Sequence, residues 1–135
     1  MTANVGENGL GSNNPLGYPP QVWRRFIGTP RAGALEPAVG VSAAEVGSHA
    51  GKFRLRLECR LTDGRVSDAR FRAWGCPYTI AVGSWLADWC LGRPVADLQV
   101  APVAELRADL EIPEDRAHCW LMAQDVLREL HRHLT

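Results

Sequence analysis

Phe53-Arg54-Leu55-Arg56-Leu57-Glu58-Cys59-Arg60-Leu61, then Thr62-Asp63-Gly64-Arg65, then Val66-Ser67-Asp68-Ala69-Arg70-Phe71-Arg72-Ala73-Trp74, is the stretch that decides the fold. Phe53, Leu55, Leu57, Cys59 and Leu61 alternate with Arg54, Arg56, Glu58 and Arg60, the period of two of a half-buried strand. Asp63-Gly64 suits the positive φ values of a tight hairpin turn. In the second arm Ala69, Phe71 and Ala73 share a face. The reading is an antiparallel hairpin with one apolar and one polar side.

Downstream, the pattern changes to helix after Gly75-Cys76-Pro77, where proline suits the first helical position because its missing N–H has no partner to lose there. Ile80, Gly83, Ala87 and Cys90 share one face of an expected amphipathic helix, with Leu86 beside them, and Gly92 is placed to end it. Ala101–Leu110 is a second helical segment. Pro113 is expected to open the last and longest helix, with Trp120, Ala123, Leu127, Leu130 and Leu134 as its apolar stripe.

Upstream the signals are weaker. A turn of helix fits Val22–Phe26, and Thr29-Pro30-Arg31-Ala32-Gly33 breaks it, since a residue before proline is pushed out of the helical region. Residues 33–47 are rich in Gly, Ala and Pro, with a short strand expected around Val39–Ala43. Residues 1–17 hold few large apolar groups and read as a disordered tail, leaving one domain over 18–135. Two or three strands followed by several helices predict an α+β fold: a small antiparallel sheet with helices packed on one face and a long C-terminal helix.

The chain has 135 residues, enough for one domain with a real core. Its 46% apolar and 22% charged residues are those of an ordinary globular protein, and its formal charge of zero gives no general grip on nucleic acid or an anionic membrane. Arg54, Arg56, Arg60, Arg65, Arg70 and Arg72 lie close together, and solvated strand faces account for them more simply than a binding patch. No run is long and apolar enough for a membrane span, and no secretory signal is visible, so a cytoplasmic location is expected. In that reducing setting four cysteines point to metal, chemistry or core packing before disulfides.

The four cysteines differ in standing. Cys59 on an apolar strand face and Cys90 near a helix end read as buried structural thiols. Cys76 sits between a strand end and a helix start, where unpaired N–H groups and the helix dipole favour the thiolate. Cys119 follows His118 directly, about two turns into the expected last helix. Adjacent helical residues project about 100° apart, so the two can serve one site only at that helix's margin. Two thiolates and an imidazole suit zinc or iron, although the spacing is not that of a zinc finger.

These residues carry a resemblance to the NifU/IscU-type scaffold family of iron–sulfur cluster assembly, over most of Tyr18 to Leu134. Tyr18–Phe26 with Pro30-Arg31-Ala32-Gly33-Ala34-Leu35 is similar to the family's opening. Asp68-Ala69-Arg70-Phe71 through Gly75-Cys76 resembles its Gly-Cys segment, and Ala117-His118-Cys119-Trp120-Leu121-Met122-Ala123-Gln124-Asp125 its His-Cys segment. Together and in this order the two segments are specific; either alone is weak. The resemblance implies a non-enzymatic scaffold that binds iron or an iron–sulfur cluster, of the [2Fe-2S] type, through Cys76, His118 and Cys119, and that receives sulfur from a cysteine desulfurase.

Two departures stand out. Where the family has a Gly-x-Pro-x-Cys-Gly-Asp loop, this chain reads Gly47-Ser48-His49-Ala50-Gly51-Lys52, with Ala50 at the first cysteine and Lys52 at the Asp. His49 is then a fourth candidate ligand, and Lys52 either repels a bare divalent cation, stabilises an anionic cluster or persulfide, or folds into solvent. The family's Leu-Pro-Pro-Val-Lys chaperone motif is replaced by Leu110-Glu111-Ile112-Pro113-Glu114-Asp115-Arg116, so docking of an Hsp70-type chaperone is not expected. Against the working scaffold stand three other readings: a degenerate scaffold-like protein acting through partners, a zinc site, and a thiol enzyme with Cys76 as nucleophile and His118 as base.

Overall fold

The computed structural model describes residues 17–48, 50 and 52–134, so the expected tail lies outside the described residues except for Gly17. Among these residues the chain runs α1 (Pro20–Gly28), β1 (Val41–Ser48), β2 (Phe53–Thr62), β3 (Arg65–Trp74), α2 (Pro77–Cys90), a 3-10 turn (Val95–Gln99), α3 (Val103–Leu110), a second 3-10 turn (Glu114–Arg116) and α4 (Ala117–Leu134). The strands form one antiparallel sheet in the order β1-β2-β3. The helices lie on its apolar side: α2 packs on β3 and β2, α4 on β1 and β2, and α1 on the outside of α2.

The β2–β3 hairpin turns at Asp63 and Gly64, with φ of 54° and 77°, the two positive values that match the twist of the flanking strands. Its register shifts between Arg60 and Leu61. Ser67 spans the irregularity, its hydroxyl 3.2 Å from the Arg60 carbonyl and 2.8 Å from the Thr62 hydroxyl.

β1 is longer than expected and starts later, because its specification lies in its partner. Val41 to Ser48 pair residue for residue with Arg60 to Phe53, so a Gly/Ala-rich segment becomes strand by borrowing β2's ladder. The apolar side buries Leu55, Leu57, Cys59, Ala69 and Phe71 against Val82, Leu86, Ala123, Leu127 and Leu130. Each large side chain removed from water there contributes about 1.5–3 kcal/mol.

α2 is not the amphipathic helix expected. Tyr78, Thr79, Ala81 to Ala87 and Cys90 are all buried, while Ile80, placed in the predicted stripe, is only half-buried. The reason is α1, which covers the outer side of α2 and ties to it by Arg25, 2.9 Å from the Ser84 hydroxyl and 2.8 Å from Asp88. Gly83 lets α2 settle on the sheet, since a Cβ there would overlap the Phe71 ring.

The sheet's other face is charged and largely self-neutralised. Arg54 and Arg56 pair with Glu45, Arg56 and Arg72 with Glu58, Arg60 and Arg70 with Asp68. Glu58 is buried because the chain after Gly33 crosses this face, and the Leu35 N–H donates to it at 2.8 Å. Burial pushes the Glu58 carboxyl up, but Arg56, the Leu35 N–H and Arg72 together hold it below its ordinary value.

Candidate functional site

The site forms where three element ends meet: the end of β3 with the start of α2, the start of α4, and the β1–β2 turn. Cys76 is the N-cap residue of α2, at φ −76° and ψ 169°, with Pro77 behind it. Gly75 reaches this point at φ 146°, and a Cβ on it would lie 2.9 Å from the Thr79 hydroxyl and 3.3 Å from Phe53 Cβ. Glycine is therefore required to bring the Cys76 sulfur over the helix start. At the other side, Pro113 begins a 3-10 turn and not the α-helix itself, so His118 and Cys119 fall in the first turn of α4. That is the helix margin that two adjacent residues need to face one site.

Cys76 Sγ, His118 Nε2 or Nδ1, and Cys119 Sγ all lie within 4.8 Å of one another, the group of potential ligands found among the described residues. Cys119 Sγ is 3.6 Å from His118 Nε2, and the Thr79 hydroxyl stands 3.7 Å from each sulfur. The His118 ring rests on Phe53, centroids 4.8 Å apart and planes tilted by 34°. Cys119 is fully buried, whereas Cys76 and His118 open onto a pocket of about 370 Å³ lined also by Lys52, Phe53, Gly75, Thr79 and Arg116. Lys52 closes the β1–β2 turn with its N–H 3.1 Å from the Ser48 carbonyl, and Ala50 is exposed in that turn. His49 lies outside the described residues.

The two thiols divide one charge between them. Cys76 is drawn down to about 4, first by the hydrogen bond from Cys119; burial opposes this, and the Thr79 N–H and hydroxyl and the Tyr78 N–H add to it. Cys119 moves the other way, since its bond to Cys76 and its burial keep the proton on it. The pair is thus a thiolate beside a thiol, with the nucleophilic and ligating form on the exposed partner. A tetrahedral ion with ligands about 2.0–2.3 Å away sets its donors roughly 3.5 Å apart, so the set suits zinc or iron after a closure of about 1 Å at its widest pair.

Thr79, Phe53 and Arg116 are site residues that motif reading missed. Thr79 had a signal: it stands three residues after a cysteine at a helix start, a spacing that puts both on one side of the first turn. Phe53 had no signal beyond its strand face, because only the tertiary fold carries His118 to it. Cys59 and Cys90 are fully buried away from the site, and all four cysteines are free thiols.

A model of the NifU-like N terminal domain matches residues 17–131. The chain belongs to that family. It is 29% identical over 89 residues to the iron–sulfur cluster assembly scaffold protein IscU of Escherichia coli K12, covering 65% of this chain and 70% of the relative. Against IscU of Azotobacter vinelandii it is 28% identical over 96 residues, covering 70% and 73%. The solved structure of a nitrogen-fixing NifU-like protein (N-terminal) from Brucella abortus is similar at TM-score 0.62 and 19% identity, covering 96% of this chain and 97% of that one, a likeness of fold. No helix among the described residues is long and apolar enough to cross a membrane.

Proposed function

We propose that this NifU-family chain works as a scaffold in iron–sulfur cluster assembly, holding iron and a nascent [2Fe-2S] cluster on Cys76, His118 and Cys119. The observation that carries this reading is the convergence of the three donors within 4.8 Å, two of them, Cys76 and His118, lining an open pocket. A cargo site must let its load enter and leave, whereas a purely structural metal site is normally closed by four protein ligands.

The chemistry divides between the two thiols. A cysteine desulfurase, the proposed partner, presents a persulfide; the Cys76 thiolate bonds to its outer sulfur, the donor's S–S bond breaks, and the donor cysteine leaves as a thiolate. Cys119 releases its proton to solvent when cargo iron takes its sulfur lone pair. Thr79 steadies both sulfurs, and Phe53 fixes the His118 ring. No Hsp70-type docking belongs to this reading, since the Leu-Pro-Pro-Val-Lys segment is absent. The free thiols suit the reducing cytoplasm.

The test is anaerobic incubation with a cysteine desulfurase and cysteine, followed by peptide mass analysis and then by addition of iron(II) and a reductant. One added sulfur atom on Cys76, and visible absorption that needs Cys76 and Cys119, are the expected results. Sulfur on neither site thiol, or colour that survives loss of both, would overturn the proposal. Tightly held zinc that iron does not displace would instead favour the zinc reading.

A further inference from the structure

The pocket over the thiols carries two basic side chains that no carboxylate among the described residues pairs with. Every arginine other than Arg116 among the described residues is hydrogen-bonded or ion-paired through its side chain: Arg24 to Gln21, Arg65 to the Gly92 carbonyl, Arg93 to the Trp89 carbonyl, and the rest to carboxylates. Among the described residues, Lys52 and Arg116 are the basic side chains with neither. Both line the pocket that holds Cys76 and His118, and no acidic residue lines it. Arg116 has the face of Tyr78, 5.9 Å from the ring centroid, and its charge favours the thiolate of Cys119. The Cys76 thiolate supplies one negative charge to this pocket, so two cations from different elements converging on it leave one charge for an anion that comes from outside.

The donor set says what kind of anion. A [2Fe-2S] cluster takes four ligands, and this site supplies three from the described residues. Two ferric ions and two sulfides make a dicationic core, which the thiolates of Cys76 and Cys119 neutralise. Lys52 and Arg116 are then left with two positive charges to match, and the described residues offer no fourth ligand. A small thiol bearing two carboxylates and one ammonium group, bound through its sulfur, supplies the ligand and a net charge of two minus.

We infer that Lys52 and Arg116 form a binding site for a low-molecular-weight carboxylate-bearing thiol, whose thiolate takes a ligand position beside Cys76, His118 and Cys119. The inference rests on the cargo-site reading above. On binding, the thiol proton goes to solvent, the sulfur lone pair forms the bond to the metal, and the carboxylates pair with the two cations; no electron transfer is involved. An alternative role for the cations, holding the Cys76 thiolate of the unloaded site, requires no external thiol.

The full chain loaded anaerobically with cobalt(II) separates these cases, because near-ultraviolet thiolate-to-cobalt absorption counts thiolates. Glutathione should raise that absorption by about half, from two thiolates to three, at a concentration about tenfold or more below that needed with uncharged 2-mercaptoethanol; each charged contact is expected to add a few-fold. S-methylglutathione should add no thiolate band. In Lys52→Ala/Arg116→Ala the advantage of glutathione over 2-mercaptoethanol should vanish, and added salt should erode it in the wild type. Equal affinity for the two thiols, or no rise with bound cobalt, overturns the inference and leaves the cargo site standing. A cobalt band that persists without Cys76 and Cys119 overturns both.

Discussion

The protein holds two pairs of cysteines, and they have opposite chemistry because they sit at opposite kinds of place. Cys59 on β2 and Cys90 at the end of α2 meet inside the core, both fully buried. The hydrogen bond to Cys59, together with burial, pushes the Cys90 thiol well up, so Cys90 keeps its proton, and both side chains pack as small hydrophobes. Cys76 and Cys119 also touch, but each lies in or before the first turn of a helix, where free N–H groups and a hydroxyl can hold a negative sulfur. The same contact between two sulfurs is inert inside the core and reactive where two helices start.

The largest expected effect breaks this comparison at its reactive half. Cys76→Ser or Cys119→Ser should weaken iron or cobalt binding by about a hundredfold or more, measured anaerobically by titration, because a metal with two thiolates loses one of its strong donors. The melting temperature should move little for Cys76→Ser, whose side chain is only half-buried. Cys59→Ser should do the reverse. It places a hydroxyl on a fully buried strand face and should cost about 1–3 kcal/mol in denaturant unfolding, with metal binding retained in the folded fraction.

Two smaller effects sharpen the contrast. In the metal-free protein Cys76 is a thiolate above about pH 4 and a thiol below it. Iodoacetamide labelling of Cys76 should therefore hold nearly constant from pH 8 to pH 5 and fall below that, while an ordinary thiol slows about tenfold for each pH unit lost under its pKa. Native Cys59 and Cys90 should not label at any of these values. Thr79→Val should raise the pH at which Cys76 labelling falls off and slow it about threefold at pH 5, since one donor to the thiolate is lost.

The sequence displayed the hairpin, the helix start at Pro77 and the stripe of α4 because each is a local pattern. β1 was only half legible: residues 41–48 have no alternation of their own and become strand by pairing with β2. The burial of Glu58 was invisible, since the segment after Gly33 that covers it bears no mark of where it will cross. For the candidate site, Cys76, His118 and Cys119 were legible as motif, but the place of His118 and Cys119 in the first turn of α4 was not, because Pro113 reads as the helix start. The role of Phe53 and the convergence of Lys52 with Arg116 could not be read, because they depend on three separated segments meeting.

The most direct measurement is iron content and visible absorption after anaerobic reconstitution of three proteins side by side: wild type, Cys76→Ser and Cys59→Ser, each checked for folding by circular dichroism. The account predicts a coloured, iron-loaded wild type, a folded but colourless Cys76→Ser, and a less stable Cys59→Ser that still loads iron in its folded fraction. A Cys76→Ser protein that loads as well as wild type, or a folded Cys59→Ser that does not, would contradict the division between the two cysteine pairs.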